Sequence, residues 1–206
     1  MIKCLAIIGA SGHGKVIADV ARAGGIKNII FFDDRWGEIA EHYGCPVVGN
    51  VANALSSPMA KYDAAIVAIG NSKTRALIQS QLQTFSPALI HPTASVSRTA
   101  TIGQGSVIMP KAVVNADTVI GDGVIVNSGA VVEHDCKLAD YSHICPNTAI
   151  AGGVTVGLRS WIGIGASVIQ GITIGADVTV GAGSVIIRDI PDGHTVAGNP
   201  AKVLKR

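Results

Sequence analysis

From Val96 to Ile186 every sixth residue is Val, Ile or Leu, sixteen in succession without an insertion. No other feature of the chain closes off so many folds. The residue two places before each aliphatic is mostly small, as at Ala94, Ser106, Ala112, Thr118, Ala130, Cys136 and Ser142. Glycine often follows it, as at Gly103, Gly121, Gly157, Gly163, Gly175 and Gly181. A period of six fits neither the 3.6-residue stripe of an amphipathic helix nor the alternation of a hairpin sheet. It fits a solenoid whose straight sides each hold one short strand and whose corners use small residues and glycine to relieve crowding. Three sides close a triangular coil of about eighteen residues, and coils stack at the strand spacing of roughly 4.8 Å. Slightly more than five coils fit between residues 94 and 188.

Composition agrees. The chain is 48% hydrophobic and holds 25 glycines in 206 residues, yet only 4% of it is aromatic. Compact cores of this length use more large rings. Abundant Val, Ile, Ala and Gly instead suit a narrow, regularly packed interior. A formal charge of +2 leaves no footprint for nucleic acid, and no basic run marks a membrane surface. Cys4, Cys45, Cys136 and Cys145 form neither a CxxC pair nor a dense framework, so they read as reduced thiols. The opening "MIKCLAIIGASGHG" has an apolar run of five residues, short for a signal sequence and far too short to span a bilayer. A cytoplasmic protein with no membrane span is the expectation.

Residues 1–85 follow a different grammar, and 86–206 form the second unit. "KCLAIIG", "NIIFFDD" and "DAAIVAIG" read as buried strands, while "HGKVIADVARAGG" and "SKTRALIQSQL" read as helices. Alternating strands and helices predict a small parallel α/β sheet of Rossmann-like type. "GASGHGKV" nearly spells a P-loop, but Val16 stands where Ser or Thr should hold magnesium, and the stretch also fails GxGxxG. An NTPase is therefore disfavoured. A strand, a glycine turn and a helix start still offer backbone N–H groups to an anion. Asp33 and Asp34 close the second strand, where an acid commonly meets ribose hydroxyls, and "AIGNS" closes the third. The three loops leave carboxyl ends of parallel strands and can converge on a nucleotide-linked ligand. Ordinary turn chemistry in a docking domain is the alternative.

The stretch "VVEHDCKLADYSHICP", residues 131–146, concentrates chemistry in an otherwise bland chain. With Val132 inward, an ionised Glu133–His134–Asp135 run does not fit a narrow apolar prism, so His134 and at least one acid face outward. A solvated turn is the plain reading. Gly152, eighteen residues on, changes the balance: it should stack over His134 and leave open space beside the imidazole. A base, a neighbouring acid and a nearby amide donor are the minimum set for acyl transfer. His143 lies half a coil away and can join His134 only if two prisms pack side by side. Metal binding by His134, His143, Cys136 and Cys145 lacks zinc-site spacing, so no metal is expected. Of the two cysteines, Cys145 follows inward Ile144 and is expected to face outward; Cys136 is expected inside.

The whole chain resembles the bacterial hexapeptide-repeat sugar acetyltransferases that carry an N-terminal nucleotide-sugar-binding domain. The residues that carry the likeness are "GASGHGKV", "FFDD", "AIGNS", the 131–146 stretch, "AGGVTVG" and the ending "DIPDGHTVAGNPAKVLKR". The resemblance implies a left-handed parallel β-helix. It is nearest the UDP-amino-sugar N-acetyltransferases of the bacillosamine pathway, with the sialic acid O-acetyltransferases as relatives. It implies transfer of acetyl from acetyl-CoA to the C4 amine of a UDP-linked 4-amino-4,6-dideoxy-N-acetyl sugar. O-acetylation of a sialic acid or another nucleotide sugar is the alternative, and a purely structural β-helix is a third reading. The likeness makes His134 the general base, oriented by Asp135 or Glu133. It sets His143 near the thioester, the Gly152 amide at its carbonyl, and Ile164 and Ala182 along the pantetheine arm. Ser11, Gly12, His13, Asp33 and Asp34 match nucleotide-sugar contacts. A homotrimer with acetyl-CoA between adjacent β-helices is implied as well.

Overall fold

A computed structural model describes residues 2–56 and 62–204. The last two residues of the C-terminal motif lie outside the described residues. In chain order the first part runs β1 (Cys4–Ile8), α1 (Gly12–Ala23), β2 (Asn28–Phe32), β3 (Glu41–His42), β4 (Cys45–Gly49), α2 (Val51–Ser56), β5 (Ala64–Val67) and α3 (Ser72–Gln79). The sheet order is β3-β4-β2-β1-β5, parallel except for β3 against β4. Strands covered on both faces read as unbroken apolar runs. Leu5, Ile7 and Phe31 pack with Ile17 and Val20 of α1, whereas Ala6, Ile8 and Phe32 pack with Ala54 of α2 and Ile78 of α3. The three strands and two helices read from the sequence are present. The β3–β4 hairpin and α2 were not read, because "CPVVG" is short and its Pro46 argues against a central strand.

Beyond residue 89 the chain coils. Two-residue strands form three faces, and these strands pair with one another eighteen residues apart, as in Val114↔Val132↔Ile150, before the offset shortens to sixteen at Thr179↔Thr195. The first face runs from Ser95–Val96 to Val185–Ile186, and the second from Thr101–Ile102 to Thr173–Ile174. The third runs from Leu89–Ile90 to Thr179–Val180 and is extended by the C-terminal strands Thr195–Gly198 and Ala201–Val203. The grid aliphatics fill the prism, with Ile108, Val126, Val132, Ile144, Ile150 and Ile162 wholly buried. Burial of each contributes roughly 1.5–3 kcal/mol.

The small polar residues of the grid have a further task. The hydroxyl of Ser106 donates to Gly121 O (2.8 Å), that of Thr118 to Glu133 O (2.8 Å), and that of Thr148 to Gly163 O (3.0 Å). These three corners are thus stapled to the next coil and their buried hydroxyls are satisfied, whereas the buried hydroxyl of Ser142 finds no partner among the described residues.

The α/β sheet docks on the outer side of the third face. Leu89, Val107, Met109 and Ile125 belong to the same buried cluster as Leu5, Ile7 and α1. The two parts therefore share a core.

Candidate functional site

Glu133, His134, Asp135 and Cys136 form the corner that follows strand Val131–Val132 on the first face. Asp135 takes a left-handed conformation (φ 60°), which Asp tolerates. Its N–H donates to Ala116 O in the preceding coil, and His134 O accepts from the Gly153 N–H of the next coil at 2.9 Å. The corner is therefore rigid. Asp135 Oδ2 lies 2.7 Å from His134 Nδ1, which makes Nδ1 the protonated nitrogen of the neutral ring and leaves Nε2 free to accept. A Cβ on Gly152 would meet Nε2 and Cε1 of that ring at 2.6 Å, so the stacking expected from the eighteen-residue offset is present. The Gly152 N–H donates to no protein acceptor among the described residues.

Glu133 turns elsewhere. Its carboxylate accepts from Asn115 Nδ2 at 2.8 Å, in the preceding coil. Of the two acids left open by the sequence, Asp135 holds the imidazole. That hydrogen bond raises the His134 pKa; desolvation opposes it, and the charges of Asp135 and Glu133 add to it.

His143 occupies the third face, on strand His143–Ile144, and does not meet His134 within the chain. Its Nε2 lies 3.0 Å from Asn127 Nδ2, its ring meets Trp161 edge-on with centroids 6.3 Å apart, and its Nδ1 is buried without a partner. Burial, then the charge of Arg75, then that of His13, push its pKa down to about 3. Ile164 and Ala182 sit one above the other on the corner beyond that face, both exposed, with the Gly183 N–H donating to Ile164 O at 2.8 Å. The residues matched to acetyl-CoA thus fall into two groups on different corners: Gly152 beside His134, and Ile164 and Ala182 beyond His143.

At the carboxyl end of the α/β sheet, Gly9 takes φ +112°, and Gly14 passes so close that a Cβ would lie 2.2 Å from Gly9 O. These two glycines let α1 start tight against the strand. Ser11 and Gly12 are exposed, and Gly12 has open space where a side chain would be. His13 turns inward; its Nε2 is buried without a partner, and burial, then the charge of Arg75, lower its pKa to about 4.

Asp33 is already engaged. Its carboxylate accepts from Ala10 N–H (2.7 Å) and from Arg35 Nε (2.8 Å). Burial raises its pKa, but the hydrogen bonds from Arg35 and Ala10 outweigh this and lower it overall. Asp34 accepts from Val51 N–H at 3.1 Å with one oxygen. Three further residues of this end carry no role in the sequence alone. Arg35 donates to Ala10 O, His42 Nε2 lies 3.0 Å from Ser11 O, and Trp36 is exposed in the same loop, while Asn71 of the "AIGNS" loop caps α3 through Thr74 N–H. "FFDDRWG" held the signal for the first and third, since charged and aromatic residues follow directly on the acids.

The cysteines need one correction. Cys136 is buried as expected, and its Sγ donates to Ala151 O at 3.2 Å, stapling the His134 corner to the Gly152 turn. Cys145, expected outside, is only 2% exposed, and burial pushes its thiol up to about 12. A six-residue grid separates the inside of the prism from its outside but says nothing of what covers the outside. Neither thiol is available as a thiolate. All four cysteines are free, and no group of three or more His, Cys, Asp or Glu is placed to hold a metal among the described residues. No helix among them is long and apolar enough to cross a membrane.

The fold and the corner define a two-part hexapeptide protein: a parallel α/β sheet seated on a triangular prism that bears an exposed His–Asp pair. Residues 4–82 match the PglD N-terminal domain, and residues 99–134 and 117–152 match the bacterial transferase hexapeptide (six repeats). The acetyltransferase domain of PglB from Neisseria gonorrhoeae FA1090, solved in complex with acetyl coenzyme A, is 48% identical. That comparison covers 98% of this chain and 99% of the other at a TM-score of 0.93. PerB from Caulobacter crescentus, solved with CoA and GDP-perosamine, is 38% identical over 100% of both chains at a TM-score of 0.91. The UDP-N-acetylbacillosamine N-acetyltransferase of Bacillus subtilis (strain 168) is 39% identical over 115 residues, 52% of each chain, so the match spans about half of that curated relative. The chain belongs to the family of hexapeptide-repeat sugar acetyltransferases with an N-terminal PglD-type domain.

Proposed function

We propose that this protein transfers the acetyl group of acetyl-CoA to the C4 amine of a UDP-linked 4-amino-4,6-dideoxy-N-acetyl sugar in the cytoplasm, with His134 as general base. The observation that carries the reading is the corner itself: an imidazole held by Asp135 at Nδ1, with Nε2 free against a glycine that has no side chain to block it. An amine attacks a thioester only when unprotonated. As the C–N bond forms, Nε2 accepts the amine proton, and the carbonyl oxygen gathers negative charge that the free Gly152 N–H can meet. Collapse breaks the C–S bond, and the imidazolium returns its proton to the departing thiolate. No acyl-enzyme is required, in keeping with two buried, protonated cysteines.

In this reading residues 1–85 hold the nucleotide sugar, through Ser11, Gly12, His13 and Asp34, with Asp33 bracing the glycine loop. Residues 86–206 hold acetyl-CoA, through His143, Gly152, Ile164 and Ala182. The two corners of one prism face different directions, so the base of one copy can meet the Ile164–Ala182 edge only on another. This supports a homotrimer with the site between adjacent prisms. The crystal complexes of the PglB domain with acetyl coenzyme A and of PerB with CoA and GDP-perosamine support the chemistry, and the Bacillus subtilis relative supports UDP.

A thiol-release assay with acetyl-CoA and UDP-, GDP- and CMP-linked acceptors tests this. The UDP-amino sugar should turn over fastest. Preference for the GDP-linked amine would replace the nucleotide, and acetylation of hydroxyl acceptors alone would overturn the amine.

A further inference from the structure

Arg75 of α3 is 1% exposed and has no carboxylate partner among the described residues. Its guanidinium is wrapped in carbonyl oxygens instead. Nη1 donates to Ile69 O (2.8 Å) and Gly70 O (3.0 Å), in the loop that closes β5. Nε donates to Gly123 O (2.8 Å) and Nη2 to Tyr141 O (2.7 Å), on two successive coils of the prism. Four of its five N–H groups are spent in tying one part of the molecule to the other. Its neighbours strengthen the joint: Ser72 Oγ donates to Arg159 O (3.2 Å) and Gln79 Nε2 to Gln104 O (3.3 Å).

A buried cation without a counter-ion is an expensive way to glue two domains. An apolar side chain of similar volume commonly stabilises such a seam as well or better. Geometry is what a planar fork adds, since its donors accept one arrangement of carbonyls and reject slippage. The loop so held carries Asn71, and the coil so held carries His143 two residues after Tyr141.

We propose that Arg75 is a positioning residue: it holds the loop of Ile69 and Gly70 at a fixed offset from Tyr141 and His143, so that the nucleotide sugar is presented in register with the prism. This rests on the reading that the α/β part holds the nucleotide sugar. The seam also isolates two imidazoles. His13 from α1 and His143 each keep one buried, unpartnered ring nitrogen, and Arg75 stands near both. The charged and titratable groups around them are Arg75 from α3, each other, and Tyr141 from the adjacent turn. Asp122 and Asp140 act on that tyrosine. Asn127 and Trp161, the other neighbours of His143, are neutral. Among the described residues no carboxylate pairs with either ring, and burial and the Arg75 charge keep both unprotonated at neutral pH.

Two variants of the full chain separate the fork from the charge. Arg75→Lys keeps the cation but cannot reach four carbonyls; Arg75→Met removes both. Each is assayed for KM of nucleotide sugar and of acetyl-CoA, for thermal unfolding, and for titration of His13 and His143 by NMR of their ring C–H signals. Both variants should raise the nucleotide-sugar KM tenfold or more and leave the acetyl-CoA KM within twofold. The histidines should titrate below pH 5 in wild type and Arg75→Lys, and at higher pH in Arg75→Met, with burial still holding them below the ordinary imidazole value. A nucleotide-sugar KM within twofold of wild type in either folded variant overturns the proposal, as does an equal rise in both KM values with a lower melting temperature. If the wild type turns over no nucleotide sugar, the proposed reaction fails but the clamp is still tested. It predicts faster amide hydrogen exchange at residues 69–71 in Arg75→Met, and unchanged exchange with unchanged titration sinks it.

Discussion

His134 and His143 stand nine residues apart in one repetitive stretch, yet the protein treats them in opposite ways. The first sits on an open corner, hydrogen-bonded to a carboxylate that raises its pKa. The second lies under the seam between the two parts, near a guanidinium and another histidine, and is pushed down to about 3. Half a turn of the coil is enough to exchange one environment for the other. The comparison teaches that residue type and spacing nominate a base, whereas the neighbours across the fold decide its protonation state. An exposed imidazole of raised pKa can accept and return a proton near neutrality. A buried neutral one can only orient or be contacted.

The sharpest way to break the contrast is to remove the corner imidazole. His134→Ala should lower kcat by about 10²–10⁴, the range expected of a general base. Its melting temperature should stay put, because the ring is largely exposed. Full activity would dismiss the corner. Gly152→Ala comes next. The backbone there needs no left-handed φ, but the new methyl would meet the imidazole at 2.6 Å and push it aside. A loss of about a hundredfold in kcat with unchanged unfolding is expected, as for a misplaced catalytic group.

The seam histidines predict a pH effect on stability rather than on chemistry. Their folded pKa values, about 4 for His13 and about 3 for His143, lie below the ordinary imidazole value. Below roughly pH 6.5 the unfolded chain therefore binds protons that the folded chain refuses. Stability should fall as pH drops from there toward 4, by on the order of 1 kcal/mol per pH unit for each ring, and stay level above. Thermal unfolding against pH checks this, and His143→Asn should flatten the slope. The smallest effect belongs to Cys145→Ala: activity within twofold of wild type, where a large loss would revive the thiol as nucleophile.

The prism was legible because its constraint is one-dimensional. A strict period fixes strand, corner and stacking partner together, so Gly152 could be placed over His134 by counting eighteen residues. The choice of Asp135 over Glu133 was not legible, since it depends on Asn115 in the preceding coil drawing Glu133 away. The cluster of Arg75, His13 and His143 was hidden for a related reason. It arises where two separately patterned parts meet, and no spacing within either part reports the other. Asp33 shows the same limit on a smaller scale: a strand-end acid looks free until the Ala10 amide and Arg35 claim it.

The most direct test pairs the pH profile of kcat/KM with NMR titration of His134, in wild type and in Asp135→Asn. Activity requires the neutral ring, so kcat/KM should rise with pH through the same midpoint at which His134 loses its proton, above the ordinary imidazole value. Removing the carboxylate charge should carry both midpoints to lower pH together and cost about tenfold in the plateau, less than the roughly 10²–10⁴ expected on losing the base itself. A kinetic midpoint that stays where it was while the His134 titration moves would show that another group bears the proton, and the account of the corner would be wrong.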